Sequence, residues 1–365
     1  MIPCNDSKRL FEKYRSEFEQ AALDVLRSGW YVLGTNVREF EQEFAKSIGS
    51  KYCVGVDNGT NAIKLGIQAL GIGPGDEVIV QANTYIATVL GITANGATPI
   101  FVEPNEFYNM DEDLIESKIS KNTKAVLVTH LYGQATKMDK ICSLCDKHNL
   151  FLLEDCAQSH YAEYEDKKVG TFGCFGFFSF YPTKNIGAFG DAGAIVTNNE
   201  ELYKKVAMLR NYGSSIRYCF ELENGSNSRL DEIQAAILRV KIRHSSEITN
   251  EKIYIANKYL NEIKNKSVKL PSINAGCTSV WHLFVIEVEN RDDFVKHMLN
   301  CGVKTDIHYP IPPHLSKCYK HLDYHIGDFP RTEYFANHIV DLPIFNGMTD
   351  EEIEMVIKAV NSYEK

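Results

Sequence analysis

Short apolar runs alternate with helical patterns through the first 260 residues, and this alternation most limits what the chain can become. Glu77–Val80, Ala97–Val102, Ala125–Thr129 and Leu150–Leu153 read as strands, the last two separated by a helical stretch from about Lys137 to His148. Strands apolar on both faces and spaced by helices predict βαβ units and a mostly parallel sheet. A sheet of that kind binds ligands beyond the carboxyl ends of its strands. From Gly170 to Thr197, Phe, Gly and β-branched residues dominate, which suits strands and tight turns. Leu230–Leu238 then reads as an amphipathic helix led by Asn227-Ser228, and Thr249–Ile263 as a long helix. After these come a strand over Val280–Glu289, a helix over Arg291–Asn300 and a closing helix over Asp350–Tyr363. The expected class is therefore α/β, with a large domain over residues 1–250 and a smaller C-terminal α+β domain over residues 251–365.

Composition narrows the partners. The 365 residues are 44% hydrophobic and 24% charged, ordinary for a globular chain. Lys+Arg 39 against Asp+Glu 48 gives −9, so no basic excess is available to neutralise a nucleic-acid backbone. No apolar run approaches the roughly 18 residues of a membrane span, and Met1–Asp6 lacks the start of an export signal. A cytoplasmic protein is expected, its ten cysteines reduced. Cys142 and Cys145 form a lone CxxC with no second pair or His at zinc spacing, so no metal is expected.

Generic nucleotide signatures such as GxGxxG after a strand or GxxxxGK[ST] are missing. Three polar features stand at strand ends instead. Asp155 follows Leu150–Leu153, with Gln158 three residues on; alone it serves equally as a helix cap. Lys184 lies between an apolar run and the Gly-rich Gly187–Gly193; a buried amine has a depressed pKa suited to imine chemistry, and the competing reading is a salt bridge to a neighbouring Asp. Gly59-Thr60 opens an apparent helix running to Leu70, where free N–H groups meet an anion or merely a cap. Jointly, an amine, an acid and an anion cup match what pyridoxal phosphate requires. The spacing predicts that Asp155 and Lys184 sit on successive parallel strands.

Five segments occur in order: Ser28–Gly34, Asn58-Gly59-Thr60, Glu154–Gln158, Phe178–Asn185 and Asn227–Asp231. In these the chain resembles the StrS-like (DegT/DnrJ group) sugar aminotransferases nearly end to end. The resemblance implies an aspartate-aminotransferase-like fold (PLP fold type I) and the cofactor pyridoxal 5'-phosphate. It implies Lys184 as the Schiff-base lysine and proton carrier, and Asp155 as the partner of the pyridine nitrogen. Gln158 would lie near the ring hydroxyl and Tyr85 on the ring face. The phosphate would be held by Gly59, Thr60, Ser179 and, from a second subunit, Asn227. A homodimer with shared sites follows from that last role.

Trp281–Phe284, His130–Gln134 and His308–Leu315 resemble the subgroup that aminates C-3 of a dTDP-3-keto-6-deoxyhexose, with L-glutamate as the implied donor. Tyr181, His308 and Tyr309 would line the sugar pocket, although Pro310, Pro312 and Pro313 also suit a plain rigid turn. Arg217 stands where a Lys is common, and either cation could meet a pyrophosphate. The alternatives are a 4-aminotransferase of the same family, a sugar dehydratase, disfavoured because that branch replaces the lysine with His, and a non-catalytic regulator or binding protein, disfavoured because Asp155 and Lys184 are both kept. Gln81 stands where Pro is usual and Tyr161 where Gly is usual, and Asp57 and Asn61 also differ from the commonest residues; Tyr161 lies close to Gln158 in sequence, within reach of that wall.

Overall fold

The structure is a computed structural model that describes residues 1–364. Seven strands form the central sheet: β1 (Tyr52–Val56), β2 (Glu77–Gln81), β3 (Thr98–Val102), β4 (Thr123–Thr129), β5 (Phe151–Asp155), β6 (Phe175–Ser179) and β7 (Gly193–Thr197). Their order is β1-β7-β6-β5-β4-β2-β3. Pairs β2–β3, β2–β4, β4–β5 and β5–β6 are parallel, and only β7 runs against its neighbours. The sheet is thus mostly parallel. Helices cover both faces, which is why its strands are apolar throughout. Phe44, Val126, Val128 and Phe178 belong to the core on one side, and Val78, Val80, Leu127 and Phe177 to the core on the other.

Among the helices that set the site are α1 (Thr35–Ile48), α2 (Gly59–Ala69), α3 (Ile86–Thr93), α4 (Asp139–His148), α5 (Glu232–Arg243) and α6 (Ser245–Glu262). A second antiparallel sheet, β8 (Val268–Lys269), β9 (Phe284–Val288) and β10 (Ile339–Leu342), has its own core with α7 (Arg291–Asn300) and α8 (Asp350–Asn361). Ile2 crosses to this core, pairing with Val303 and donating to the Gly302 carbonyl at 2.8 Å. Strand β9 is shorter than Val280–Glu289 because Val280 and Leu283 instead hydrogen-bond the Gly133 and Tyr132 carbonyls beside the site. No helix is long and apolar enough to cross a membrane among the described residues.

Glu232, in the first turn of α5, is 2% exposed and accepts from the amides of Gly34 (2.7 Å), Asn36 (2.9 Å) and Val37 (2.9 Å). It therefore satisfies donors at the start of α1 that the helix itself cannot. Gly34 is required there, since a Cβ would stand 2.8 Å from the Glu232 carboxyl carbon. Glu232→Ala should cost about 3 kcal/mol by stranding those amides, with Glu232→Gln losing less. Urea unfolding midpoints measure it, and a loss below ~0.5 kcal/mol for the alanine variant contradicts the assignment.

Candidate active site

A cavity of about 610 Å³ opens at the carboxyl ends of the parallel strands. Asp155 is the last residue of β5 and 5% exposed. Burial pushes its carboxyl pKa up, while a 2.7 Å hydrogen bond from Thr88 and one of 3.0 Å from the Ala157 amide favour the ionised form. Thr88, on α3, is joined to Thr84 at 2.8 Å, and Thr84 to Thr129 at 3.0 Å. Because the carboxylate can only accept, Thr88 donates to it and the chain of hydroxyls points the same way. The Thr129 amide donates to Gln81 Oε1 at 3.3 Å, and Gln81 Nε2 donates to Asn83 and the Tyr108 carbonyl. Gln81 thus anchors the far end of this network.

Lys184 does not lie on a strand. It sits in the turn after β6, its amide donating to the Tyr181 carbonyl at 2.8 Å, because the chain leaves the sheet at Ser179 and folds over the cavity mouth. Its amine makes no ion pair among the described residues, and burial lowers its pKa to about 8 against a weaker opposing pull from Asp155. The salt-bridge alternative is thereby removed. Next to it, Asn185 donates to the Val280 carbonyl at 2.7 Å and accepts from Lys252 of α6 at 3.1 Å. Burial lowers the Lys252 pKa to about 7.

Helix α2 opens at Gly59, with Asn58 as its cap accepting from the Asn61 amide at 2.8 Å. Gly59 and Thr60 begin the first turn, whose N–H groups have no partner within the helix. Both line the cavity with Ser179, and a Cβ on Gly59 would stand 2.7 Å from Ser179 Cβ. Asp57 accepts from Asn61 at 2.7 Å, so those two unusual residues pair with each other.

The remaining wall is built around Tyr132. Its amide donates to Gln158 Oε1 at 2.7 Å, and its hydroxyl donates to the His308 carbonyl. Gln158 Nε2 donates to the Tyr309 hydroxyl at 3.0 Å, and the Tyr309 and Tyr85 rings stand 4.9 Å apart. Gly133 permits the close approach of Trp281-His282, since a Cβ would lie 2.5 Å from the His282 amide.

Of the residues singled out from sequence, Gly59, Thr60, Tyr85, Asp155, Gln158, Ser179, Tyr181, Lys184, His308 and Tyr309 all border this cavity. Asn227 and Arg217 do not. Asn227 is exposed and pairs with Asn211, and Arg217 lies at the tip of the hairpin formed by Ser214–Ile216 and Cys219–Phe220, over the Tyr218 ring. Tyr161, close to Gln158 in sequence, lies elsewhere. It takes a positive φ of 70°, its hydroxyl meets Ser47 at 3.3 Å, and it is absent from the cavity wall. Thr84, Thr88 and Thr129 line the cavity without any sequence signal of their own, since a lone Thr carries no spacing pattern, while Tyr132 supports the wall from behind through Gln158 and His308.

A buried carboxylate, a lysine amine with a lowered pKa and an open helix start around one cavity fit pyridoxal 5'-phosphate, and they define the site of an enzyme that uses it. The chain belongs to the DegT/DnrJ/EryC1/StrS aminotransferase family, whose model matches residues 12–361. It is 48% identical, over 100% of this chain and 99% of the relative, to a dTDP-3-amino-3,6-dideoxy-alpha-D-galactopyranose transaminase of Aneurinibacillus thermoaerophilus. The crystal structure of Streptomyces venezuelae DesV in complex with a ketimine intermediate superposes with a TM-score of 0.96 at 42% identity, covering 99% of this chain and 97% of that one. NtdA from Bacillus subtilis with bound cofactor PMP gives a TM-score of 0.91 at 31% identity, covering 97% and 83%.

Two outcomes follow from the geometry. In protein freed of cofactor, the rate of pyridoxal phosphate capture should rise with pH and level off above about 8, as the Lys184 amine loses its proton; a rate still climbing through 10.5, the ordinary lysine value, contradicts its burial. Thr88→Val removes a hydrogen bond that favours the Asp155 carboxylate, so the acid limb of the kcat profile should move to higher pH with a loss of about 10-fold. An unmoved limb would show that the hydroxyl chain is only packing.

Proposed function

We propose that this protein transfers an amino group from L-glutamate to C-3 of a dTDP-3-keto-6-deoxyhexose, giving a dTDP-3-amino-3,6-dideoxyhexose. The observation that carries this is the single cavity in which Lys184 and Asp155 face the His308–Tyr309 segment. The 48% identity to a transaminase named for a dTDP-3-amino-3,6-dideoxyhexose supports the C-3 position. The cavity volume suits a cofactor together with a sugar ring.

When bound, pyridoxal phosphate supplies an aldehyde carbon and a ring that accepts electrons from the carbon being deprotonated. Asp155 holds a proton on the ring nitrogen by its negative charge. Lys184 Nζ, with its pKa lowered to about 8, removes the proton from the donor's α-carbon and later returns one to C-3 of the sugar. Tyr85 covers one face of the ring position. Gln158, fixed by Tyr132 and Tyr309, presents its amide at the same wall. Gly59, Thr60 and Ser179 receive the phosphate. Tyr181, His308 and Tyr309 form the surface that both substrates share in turn.

The placement of Asn227 and Arg217 supports a homodimer. Both are exposed and outside their own cavity, near Ile216, Tyr218 and Phe220, which are 70%, 76% and 64% exposed. An apolar hairpin of that kind is suited to burial against a second copy, where Asn227 would meet the phosphate and Arg217 the pyrophosphate of the neighbouring site.

The test uses the two half-reactions. Glutamate should bleach the cofactor's long-wavelength absorbance, and after its removal the 3-keto sugar, not the 4-keto sugar, should restore it. Recovery with the 4-keto sugar alone overturns the regiochemistry while leaving the transaminase intact. Lys184→Ala should lose at least ~10²-fold in turnover while still retaining cofactor non-covalently. Retention of most activity in that variant would refute the assigned lysine.

A further inference from the structure

The two substrates make opposite electrostatic demands on one cavity. A keto-sugar ring is neutral, whereas an amino-acid donor brings a carboxylate that needs a cation. Among the described residues bordering the cavity there is no arginine, and the basic side chains are Lys184, His282 and His308. Lys184 is committed to the cofactor. His282 is buried, with Nδ1 unpartnered, and burial together with nearby Lys184 and Lys252 pushes its pKa well below the ordinary imidazole value. His282 is therefore a neutral ring.

His308 differs. Its Nδ1 donates to Oδ2 of Asp341, a fully buried residue of β10 whose Oδ1 has no protein partner. The imidazole Nε2 makes no hydrogen bond among the described residues, and the ring borders the cavity. Asp306 on its own segment, Lys184 in the turn after β6, His282 beside β9 and the hydroxyl of Tyr132 are the other polar groups around it. Burial opposes the imidazolium and also raises the Asp341 pKa to about 6, but above that pH the Asp341 carboxylate, aided by Asp306, overrides the burial and raises the His308 pKa.

Resting on the transaminase assignment above, we propose that the His308–Asp341 pair is a cationic subsite that receives a carboxylate of the amino-acid donor. Asp341 acts behind the ring as a positioning residue, fixing its orientation and its charge. In the other half-reaction the same Nε2–H serves only as a hydrogen-bond donor to a neutral ring. The sign follows from the raised pKa: the cation is present below it and is lost as pH rises through it.

Glutarate, a dicarboxylate without an amine, probes the subsite in the cofactor-loaded protein without turnover. Its affinity, measured by calorimetry, should fall about 10-fold or more between about pH 6 and about pH 9. In Asp341→Asn the midpoint of that fall should move to lower pH. His308→Gln keeps a donor but loses the charge, so its donor half-reaction should weaken about 10-fold to 100-fold more than its keto-sugar half-reaction. Equal losses in both halves, a loss confined to the sugar half, or glutarate binding that ignores pH overturns the subsite. If no amino acid bleaches the wild-type cofactor, the transaminase assignment itself fails, an outcome distinct from these.

Discussion

Asp155 is a carboxylate taken out of water at the end of a buried strand, and such a group costs several kcal/mol unless it is hydrogen-bonded or paired. The fold answers with the Ala157 amide on one oxygen and Thr88 on the other, backed by Thr84, Thr129 and Gln81. These residues come from three successive parallel strands and the helix after β2, so the network exists only once the sheet has its order. The remaining stabilisation comes from a cation above the cavity. Lys184 supplies part of it, and a protonated pyridine ring beside Asp155, in the proposed role of that residue, would supply more.

The second sheet matters because it closes that site. Tyr132 binds Gln158 through its amide and the His308 carbonyl through its hydroxyl, while Asp341 on β10 holds the His308 ring. Lys252 of α6 reaches Asn185 at 3.1 Å and the His282 carbonyl at 3.3 Å, tying the residue after Lys184 to the segment before β9. The turn that carries Lys184 and the segment before β9 therefore share Lys252 as a support.

Much of this was legible in the sequence because burial on both faces leaves an apolar signature. The runs at Glu77–Val80, Ala125–Thr129 and Leu150–Leu153 fall on β2, β4 and β5, and Asp155 falls where such a strand ends. Lys184 was misplaced onto a strand because spacing along the chain does not reveal where a strand gives way to a turn. Tyr161 is close to Gln158 in sequence, yet it does not join the wall. It takes a positive φ, a conformation that Gly adopts freely and Tyr seldom does, and its hydroxyl meets Ser47 instead. Thr88 and Asp341 carry no local signal at all, since each gains meaning only from a partner 67 or 33 residues away.

Gln81 shows how a departure from a familiar pattern can leave the chemistry intact. A proline at that strand end could not donate a hydrogen bond. Gln81 is fully buried, so both ends of its amide must find partners or destabilise the sheet. They do so on Asn83, the Tyr108 carbonyl and the Thr129 amide, while Gln81 itself lies outside the cavity wall and meets the hydroxyl chain at Thr129. The substitution therefore trades a rigid backbone for a polar brace at the same place. Its effect reaches Asp155 only through Thr129, Thr84 and Thr88, which makes it a change in how firmly the acid is held and not in which groups react.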